Sequence, residues 1–218
     1  RRRTYEDKIA TLAKLHNTDY AAIGLGDYGK PGNYFGRQID RWSKQYKLSE
    51  TESIDEMNRL IDWLPQTIPP GERTSIVHGD YRLDNMVLDA DAPRVKAVLD
   101  WELSTLGDPL GDFTNFLVNW VMPHDGRAGL GGLDLPSLGI PTLDEAVSLY
   151  CAQTGRDGIG ALDWYFSYNA FRLAAILQGI AGRIRDGTAA SAHATEMVKR
   201  IRPLAAAAYG YAQRAGLK

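Results

Sequence analysis

Two short runs of β-forming residues, at 86–88 and 95–99, constrain the fold of this chain more than any other feature. An aspartate- and proline-containing segment joins them, which predicts a β-hairpin with a longer loop. A polar side chain stands at each open end of the hairpin, because Asn85 enters the first strand and Asp100 leaves the second. Pairing of antiparallel strands brings such ends together. The sequence therefore predicts that Asn85 and Asp100 lie side by side.

Helical patterns occupy most of the remaining sequence. Thr4 with Asp7, and Thr142 with Glu145, have the spacing of N-terminal helix caps. Apolar residues recur at helical spacing in segments 4–16, 33–47, 52–64, 109–121, 162–185 and 191–214, and a further helix begins at 142. Glycine and proline predict loops at 17–32 and 122–141. We predict a mainly α fold with a small β-hairpin (α+β), in which residues 1–70 are helical, residues 71–105 form the loop and hairpin, and residues 106–218 are helical.

Composition excludes several classes of protein. The 218 residues carry a net charge of −2, which provides no overall basic field for nucleic acid or an anionic membrane. No apolar run approaches the roughly 20 residues of a membrane-spanning helix. Cys151 is the only cysteine, so no internal disulfide can form, and we expect it in the core. These features predict a cytoplasmic protein that has neither nucleic acid nor a membrane as a partner.

The most specific chemical pattern lies around the hairpin, where His78-Gly79-Asp80 is followed by Asn85 and then by Asp100. The protein-kinase pattern H-R-D-x-x-x-x-N followed by D-F-G has the same order of residue types. Because Mg²⁺ prefers oxygen ligands, Asn85 and Asp100 are candidate metal ligands. Asp80 is the candidate general base, and His78 and Gly79 shape its loop. This order predicts Mg²⁺-dependent phosphoryl transfer to a hydroxyl group.

Charged residues near this pattern have less specific roles. Arg82 contacts substrate or phosphate, or forms an ion pair with an acid such as Glu102, and we favour the ion pair. Asp84 supports the site indirectly or belongs to a turn, and the sequence leaves both interpretations open. We expect Asp108 to cap the helix that follows. Asp112 lies on that helix, and we expect its carboxylate to fold back and brace the backbone amides of the loop.

Other candidate binding patterns are weaker. His16, His124 and His193 lack the spacing of transition-metal ligands. Neither glycine-containing segment, 24–32 or 126–132, has the phosphate-loop pattern or follows a clear strand.

Segments 78–85, 98–102 and 107–112 resemble the aminoglycoside phosphotransferase/choline kinase superfamily. The longer stretches HGDYRLDNMVLDADAPRVKAVLDWELSTLGDPLGD and GDYGKPGNYFGRQIDRWSKQY are similar to one branch, the phosphotransferase-like domains associated with acyl-CoA dehydrogenases. The resemblance implies a protein-kinase-like fold. It also implies that Asp80 is the catalytic base, while Asn85 and Asp100 bind Mg²⁺.

The resemblance covers the C-terminal lobe of that fold. The family's N-terminal β lobe, with its nucleotide-covering loop and phosphate-binding lysine, is absent from this chain, and Lys8 and Lys14 on a predicted helix are poor substitutes. We therefore expect a fragment, in which the nucleotide-binding residues of that lobe are unknown.

The resemblance implies a small-molecule O-phosphotransferase with Mg²⁺ as cofactor and ATP or GTP as co-substrate. We expect a small hydroxyl-bearing acceptor, and a hydroxyacyl compound ahead of an aminoglycoside, because cationic aminoglycosides favour an acidic pocket. We expect the segment 122–141 and the last two helices to line the acceptor pocket. The alternative is a catalytically inactive pseudokinase module that binds a nucleotide or an acyl ligand.

Overall fold

The computed structural model describes residues 1–124, 129–189 and 193–218. They form two compact units, Arg1–Gly32 with Glu72–Gly160 and Asn33–Gly71 with Ala161–Lys218. The elements are α1 (Arg2–His16), α2 (Tyr34–Ser49), α3 (Asp55–Trp63), β1 (Ser75–Val77), β2 (Met86–Leu88), β3 (Val95–Val98), β4 (Thr105–Gly107), α4 (Pro109–Val121), α5 (Leu143–Thr154), α6 (Leu162–Arg185), α7 (Ala194–Val198) and α8 (Ile201–Arg214). This mostly helical architecture with small antiparallel sheets confirms the predicted fold class.

The predicted hairpin is present in the first unit. β2 pairs antiparallel with β3, with Met86 opposite Val98, and the register shifts between Val87 and Leu88. The N–H of Leu99 donates to the carbonyl of Asn85 at 2.8 Å, so the two open ends of the hairpin meet. β3 ends one residue earlier than predicted, because the chain leaves the extended conformation at Asp100 (φ 66°, ψ 58°).

A second two-stranded sheet was not predicted. β1 pairs antiparallel with β4, with Val77 opposite Thr105. The hydroxyl of Ser104 donates to the Val77 carbonyl at 2.7 Å and reinforces the pair. The loop 78–85 follows β1, and β4 follows the turn at Asp100, so this sheet holds the two segments next to each other.

The first helix begins earlier than the sequence suggested. The predicted cap of Thr4 with Asp7 is wrong, because α1 starts at Arg2 and has no side-chain cap. The Arg2 guanidinium contacts Glu6 at 2.9 Å and Glu145 of α5 at 2.7 Å, which anchors the first turn. The Asp7 carboxylate instead accepts the N–H of Val95 at 2.6 Å and ties α1 to β3.

The second unit is built around aromatic side chains. The face of α2 formed by Phe35, Ile39, Trp42 and Tyr46 is buried. The centroid of the Phe35 ring lies 5.3 Å from that of Trp164 on α6. It also lies 5.4 Å from the centroid of Tyr165 and 5.1 Å from that of Tyr168 on the same helix. α6 begins and ends where the sequence predicted. None of the described helices is long and apolar enough to cross a bilayer.

The last predicted helix, 191–214, is interrupted. Its first two positions lie outside the described residues, as do positions 125–128 of the predicted loop at 122–141. α7 and α8 are separate helices, and Pro203 lies in the first turn of α8. A proline is tolerated there because the first N–H groups of a helix have no intrahelical partner, but it opposes a continuous helix through the preceding turn.

Lys8 of α1 is a buried lysine that the sequence pattern did not reveal. Its side chain packs against two aromatic rings, with the ammonium 4.6 Å from the centroid of Tyr5 and 4.9 Å from that of Phe116. Burial lowers the pKa of Lys8 to about 8, and the nearby Asp84 carboxylate opposes this change. The folded chain therefore releases this proton more readily than the unfolded chain does.

The pH dependence of stability tests this arrangement. Between pH 8 and 9.5 the unfolded state binds more protons at this lysine, so its contribution to the free energy of unfolding should rise, by at most about 1.4 kcal/mol per pH unit. We expect Lys8→Met to remove this rise and to be more stable than the wild type at pH 7, in urea unfolding at pH 7.5, 8.5 and 9.5. Lys14→Met, on an exposed position of α1, should keep the rise, and an unchanged slope in Lys8→Met would contradict the assignment.

Candidate active site

The loop from His78 to Asn85 connects β1 to β2 and ends in a 3-10 turn, Leu83–Asn85. Gly79 has φ 86°, in the region that favours glycine. A Cβ atom at this position would lie 2.7 Å from the carbonyl oxygen of Leu103. Both the backbone conformation and the close approach therefore require glycine here.

The carboxylate of Asp112 holds the beginning of this loop. It accepts hydrogen bonds from the backbone N–H of His78 and, at 2.7 Å, from that of Gly79. Asp112 is buried in the first turn of α4. Asp108 caps that helix as predicted, since its side chain accepts the N–H of Leu110 at 2.8 Å, and burial raises the pKa of Asp108. A fixed helix start thus places the bracing carboxylate where the sequence analysis expected it.

His78 connects the loop to the end of the hairpin. Its side chain is fully buried at 0% exposure. Nδ1 accepts the backbone N–H of Asp80 at 3.2 Å, and Nε2 lies 2.8 Å from the carbonyl oxygen of Leu99. Since a carbonyl only accepts, Nε2 carries the hydrogen and the ring is held as one tautomer. Asp80 and the residue preceding Asp100 are therefore fixed to the same imidazole.

Asp80 and Asn85 are in direct contact. The amide Nδ2 of Asn85 donates to the backbone carbonyl of Asp80 at 2.9 Å and to its Oδ2 at 3.0 Å. This leaves Oδ1 of Asn85 as the atom available to a cation. Within the portion of the chain that the structure describes, Oδ1 of Asp80 has no hydrogen-bond partner. The Asp80 side chain is 32% exposed.

Arg82 forms an ion pair, as the sequence analysis favoured, with acids other than Glu102. Its Nε lies 3.4 Å from Oδ2 of Asp80, and its Nη2 lies 3.8 Å from Oδ2 of Asp84. The favoured ion pair is therefore present, but its partners are the two carboxylates of its own loop and not Glu102. About half of the Arg82 side chain is exposed, and such pairs contribute little to stability.

Asp100 presents an exposed carboxylate. It is exposed, and it adopts the left-handed conformation that non-glycine residues rarely take. No hydrogen bond or ion pair engages its carboxylate among the described residues. Those residues also contain no group of three or more His, Cys, Asp or Glu side chains that could hold a metal by itself. Asn85 and Asp100 provide an amide oxygen and carboxylate oxygens, and oxygen is the ligand type that Mg²⁺ prefers.

One contact of the motif was not predicted. The hydroxyl of Tyr81 donates to the backbone carbonyl of Lys8 at 2.7 Å, and the Tyr81 side chain is buried. This bond anchors the middle of the loop to α1. The sequence signal for this contact was a tyrosine within an otherwise polar loop. The hydroxyl of a buried tyrosine usually needs a hydrogen-bond partner.

Comparison with known proteins adds the following. The model of the phosphotransferase enzyme family matches residues 1–146. Acyl-CoA dehydrogenase family member 10 of Mus musculus is 41% identical over 209 residues, which are 95% of this chain and 20% of that protein. Acyl-CoA dehydrogenase family member 11 of Homo sapiens is 34% identical, over 92% of this chain and 26% of that protein. The chain thus spans about a fifth to a quarter of the length of these relatives.

A crystal structure from Ralstonia eutropha, assigned to the aminoglycoside phosphotransferases, is 52% identical to this chain. It superimposes with a TM-score of 0.96 over 100% of this chain and 67% of that one. Together with the relatives above, it confirms both resemblances inferred from the sequence.

The close approach at Gly79 can be tested by adding one methyl group. We expect Gly79→Ala to lower the free energy of unfolding by about 1–3 kcal/mol more than Gly132→Ala, because the Leu103 backbone must move. Gly132 is a matched control, since it has φ 86° and nothing within 4 Å of an added Cβ. Urea unfolding of both variants measures the difference, and equal destabilisation would show that the backbone conformation alone matters.

Proposed function

This chain belongs to the phosphotransferase enzyme family, and on that premise we propose that it transfers the γ-phosphoryl group of ATP or GTP to a hydroxyl group of a small molecule, with Mg²⁺ as cofactor. The family and its structural relatives support a kinase-like enzyme in general. We also propose that the protein is cytoplasmic.

The arrangement of the Asp80 carboxylate is the observation that carries this proposal. One oxygen is held by Asn85 and lies beside Arg82, while the other has no partner among the described residues, on a side chain that is 32% exposed. A base must lie within hydrogen-bond reach of the proton that it removes. The free oxygen of Asp80 would accept the proton of the acceptor hydroxyl as its oxygen attacks the γ-phosphorus. The bond to the nucleoside diphosphate then breaks, and the diphosphate leaves.

The remaining site residues have supporting roles in this reaction. Asn85 and Asp100 would hold Mg²⁺, which would offset the negative charge of the nucleotide phosphates. Arg82 would meet the transferred group, since its guanidinium lies beside the base. His78, Gly79 and Asp112 keep the loop in place. Rigid support of this kind is what positioning of the reactants requires.

The acceptor is proposed to be a hydroxyacyl compound. The relatives in mouse and human carry the name acyl-CoA dehydrogenase, and this chain matches a portion of each. A phosphotransferase unit within such proteins would act on a hydroxyl group of an acyl substrate. An aminoglycoside acceptor is the less favoured choice. Lining of the acceptor pocket by the segment 122–141 and the last helices stays a prediction.

Replacement of the base tests the proposed function. In the full-length protein, we expect Asp80→Asn to lower the rate of phosphoryl transfer by about 10²–10⁴, because general-base catalysis is lost. Asp84→Asn is the matched control: it is on the same loop, its side chain is 77% exposed, and its contact with Arg82 is long. This control should retain activity within about threefold, because exposed ion pairs of this kind contribute little.

The assay is ³¹P NMR detection of a new phosphate monoester with Mg²⁺-ATP and either a hydroxyacyl compound or an aminoglycoside. Undiminished turnover in Asp80→Asn would contradict the role of Asp80. Phosphorylation of the aminoglycoside alone would contradict the proposed acceptor.

A further inference from the structure

Behind the catalytic loop, three buried polar side chains from three helices form a continuous chain of contacts. Oη of Tyr150 on α5 lies 2.6 Å from Nδ1 of His16, the last residue of α1. Nε2 of His16 lies 3.5 Å from Oδ2 of Asp112 on α4. The side chains of His16 and Asp112 are 1% and 2% exposed. Burial of polar groups is costly unless they are paired, yet no step of the proposed reaction uses His16 or Tyr150.

The acceptor character of Asp112 assigns the protons in this chain of contacts. A carboxylate only accepts, so Nε2 of His16 carries a hydrogen and donates it. In the neutral imidazole, Nδ1 then presents a lone pair to which the Tyr150 hydroxyl donates at 2.6 Å. Burial raises the pKa of Tyr150, which keeps the proton on that hydroxyl. With His16 neutral, all donors point in one direction, from Tyr150 through His16 to Asp112.

Further contacts hold Tyr150 and His16 in place. The ring of Phe113 stacks on that of Tyr150, with centroids 3.7 Å apart and planes at 8°. The backbone carbonyl of His16 accepts the hydroxyl of Ser75 at 2.8 Å. Ser75 begins β1, the strand that leads into the catalytic loop. His16 therefore contacts both the strand before the loop and the carboxylate behind it.

We propose that His16 and Tyr150 are positioning residues for phosphoryl transfer, an inference that rests on the function proposed above. Oδ2 of Asp112 accepts from His16 and from the backbone N–H of His78. An imidazole that Tyr150 holds in place fixes the rotation of this carboxylate. The carboxylate in turn fixes the start of the loop, and hence the location of Asp80 two residues later.

Hydrogen exchange at the loop amides measures this positioning without an activity assay. We expect His16→Leu to speed exchange at His78 and Gly79 about tenfold relative to amides in the middle of α4, because one donor to the carboxylate is lost. His16→Gln retains an N–H donor and should restore most of the protection. Tyr150→Phe keeps the stacked ring and removes only the hydroxyl, so an intermediate acceleration is expected.

Cys151→Ala is the matched control for a buried change on α5. It should leave the ratio of loop exchange to α4 exchange unchanged. Equal acceleration of loop and α4 amides in His16→Leu would indicate general destabilisation and overturn the proposal. A His16 ring whose ¹⁵N chemical shifts place the proton on Nδ1 would also overturn it.

Turnover separates this inference from the proposed function. In the full-length protein we expect Tyr150→Phe to lower kcat several-fold and to leave the nucleotide KM within about twofold, since the base is displaced and the binding surface is not. Unchanged kcat together with unchanged loop exchange would overturn the positioning role alone. No phosphorylation of any hydroxyl compound by the wild type would overturn the proposed function, and the exchange result would then describe structural support of the loop only.

Discussion

The loop that carries Asp80 depends on one buried carboxylate. Asp112 accepts the backbone N–H groups of His78 and Gly79, just where the chain leaves β1 and turns through a positive φ. Loss of this acceptor would leave buried amides unsatisfied, at a cost of about 1–3 kcal/mol for each group. The carboxylate itself is fixed because α4 begins at a proline that follows a capping aspartate. The rest of the site extends outward from this contact.

His78 links the loop to the hairpin through hydrogen bonds. Its imidazole accepts from the backbone of Asp80 and donates to Leu99, whose own N–H donates to Asn85. Residues that are distant in sequence are thereby joined by short contacts. One oxygen of Asp80 and the carboxylate oxygens of Asp100, which the proposed chemistry uses, have no protein partner among the described residues. In this loop and at the end of the hairpin, His78 thus holds the backbone in place, while Asp80 and Asp100 present oxygens that no protein group of the described residues occupies.

Local patterns in the sequence predicted much of this fold. The hairpin, the bounds of α6 and the capping box of Thr142 with Glu145 follow from turn chemistry, helical periodicity and cap spacing, which act over a few residues. The pairing of β1 with β4 has no such signal, because Thr105–Gly107 is a strand only through its distant partner. The partners of Arg82 depend on the rotamer of a long exposed side chain. The left-handed backbone at Asp100 is likewise imposed by the surrounding structure.

We propose that Asp100 and Asn85 form a Mg²⁺ site that strengthens nucleotide binding. Its most direct test is calorimetric titration of ATP into the full-length protein, with Mg²⁺ and with the metal removed by a chelator, for the wild type and for Asp100→Asn. We predict that Mg²⁺ tightens nucleotide binding at least about tenfold in the wild type and has little effect in the variant. Nucleotide binding that is equally tight without the metal in both proteins would contradict it and would indicate a metal-independent binding module.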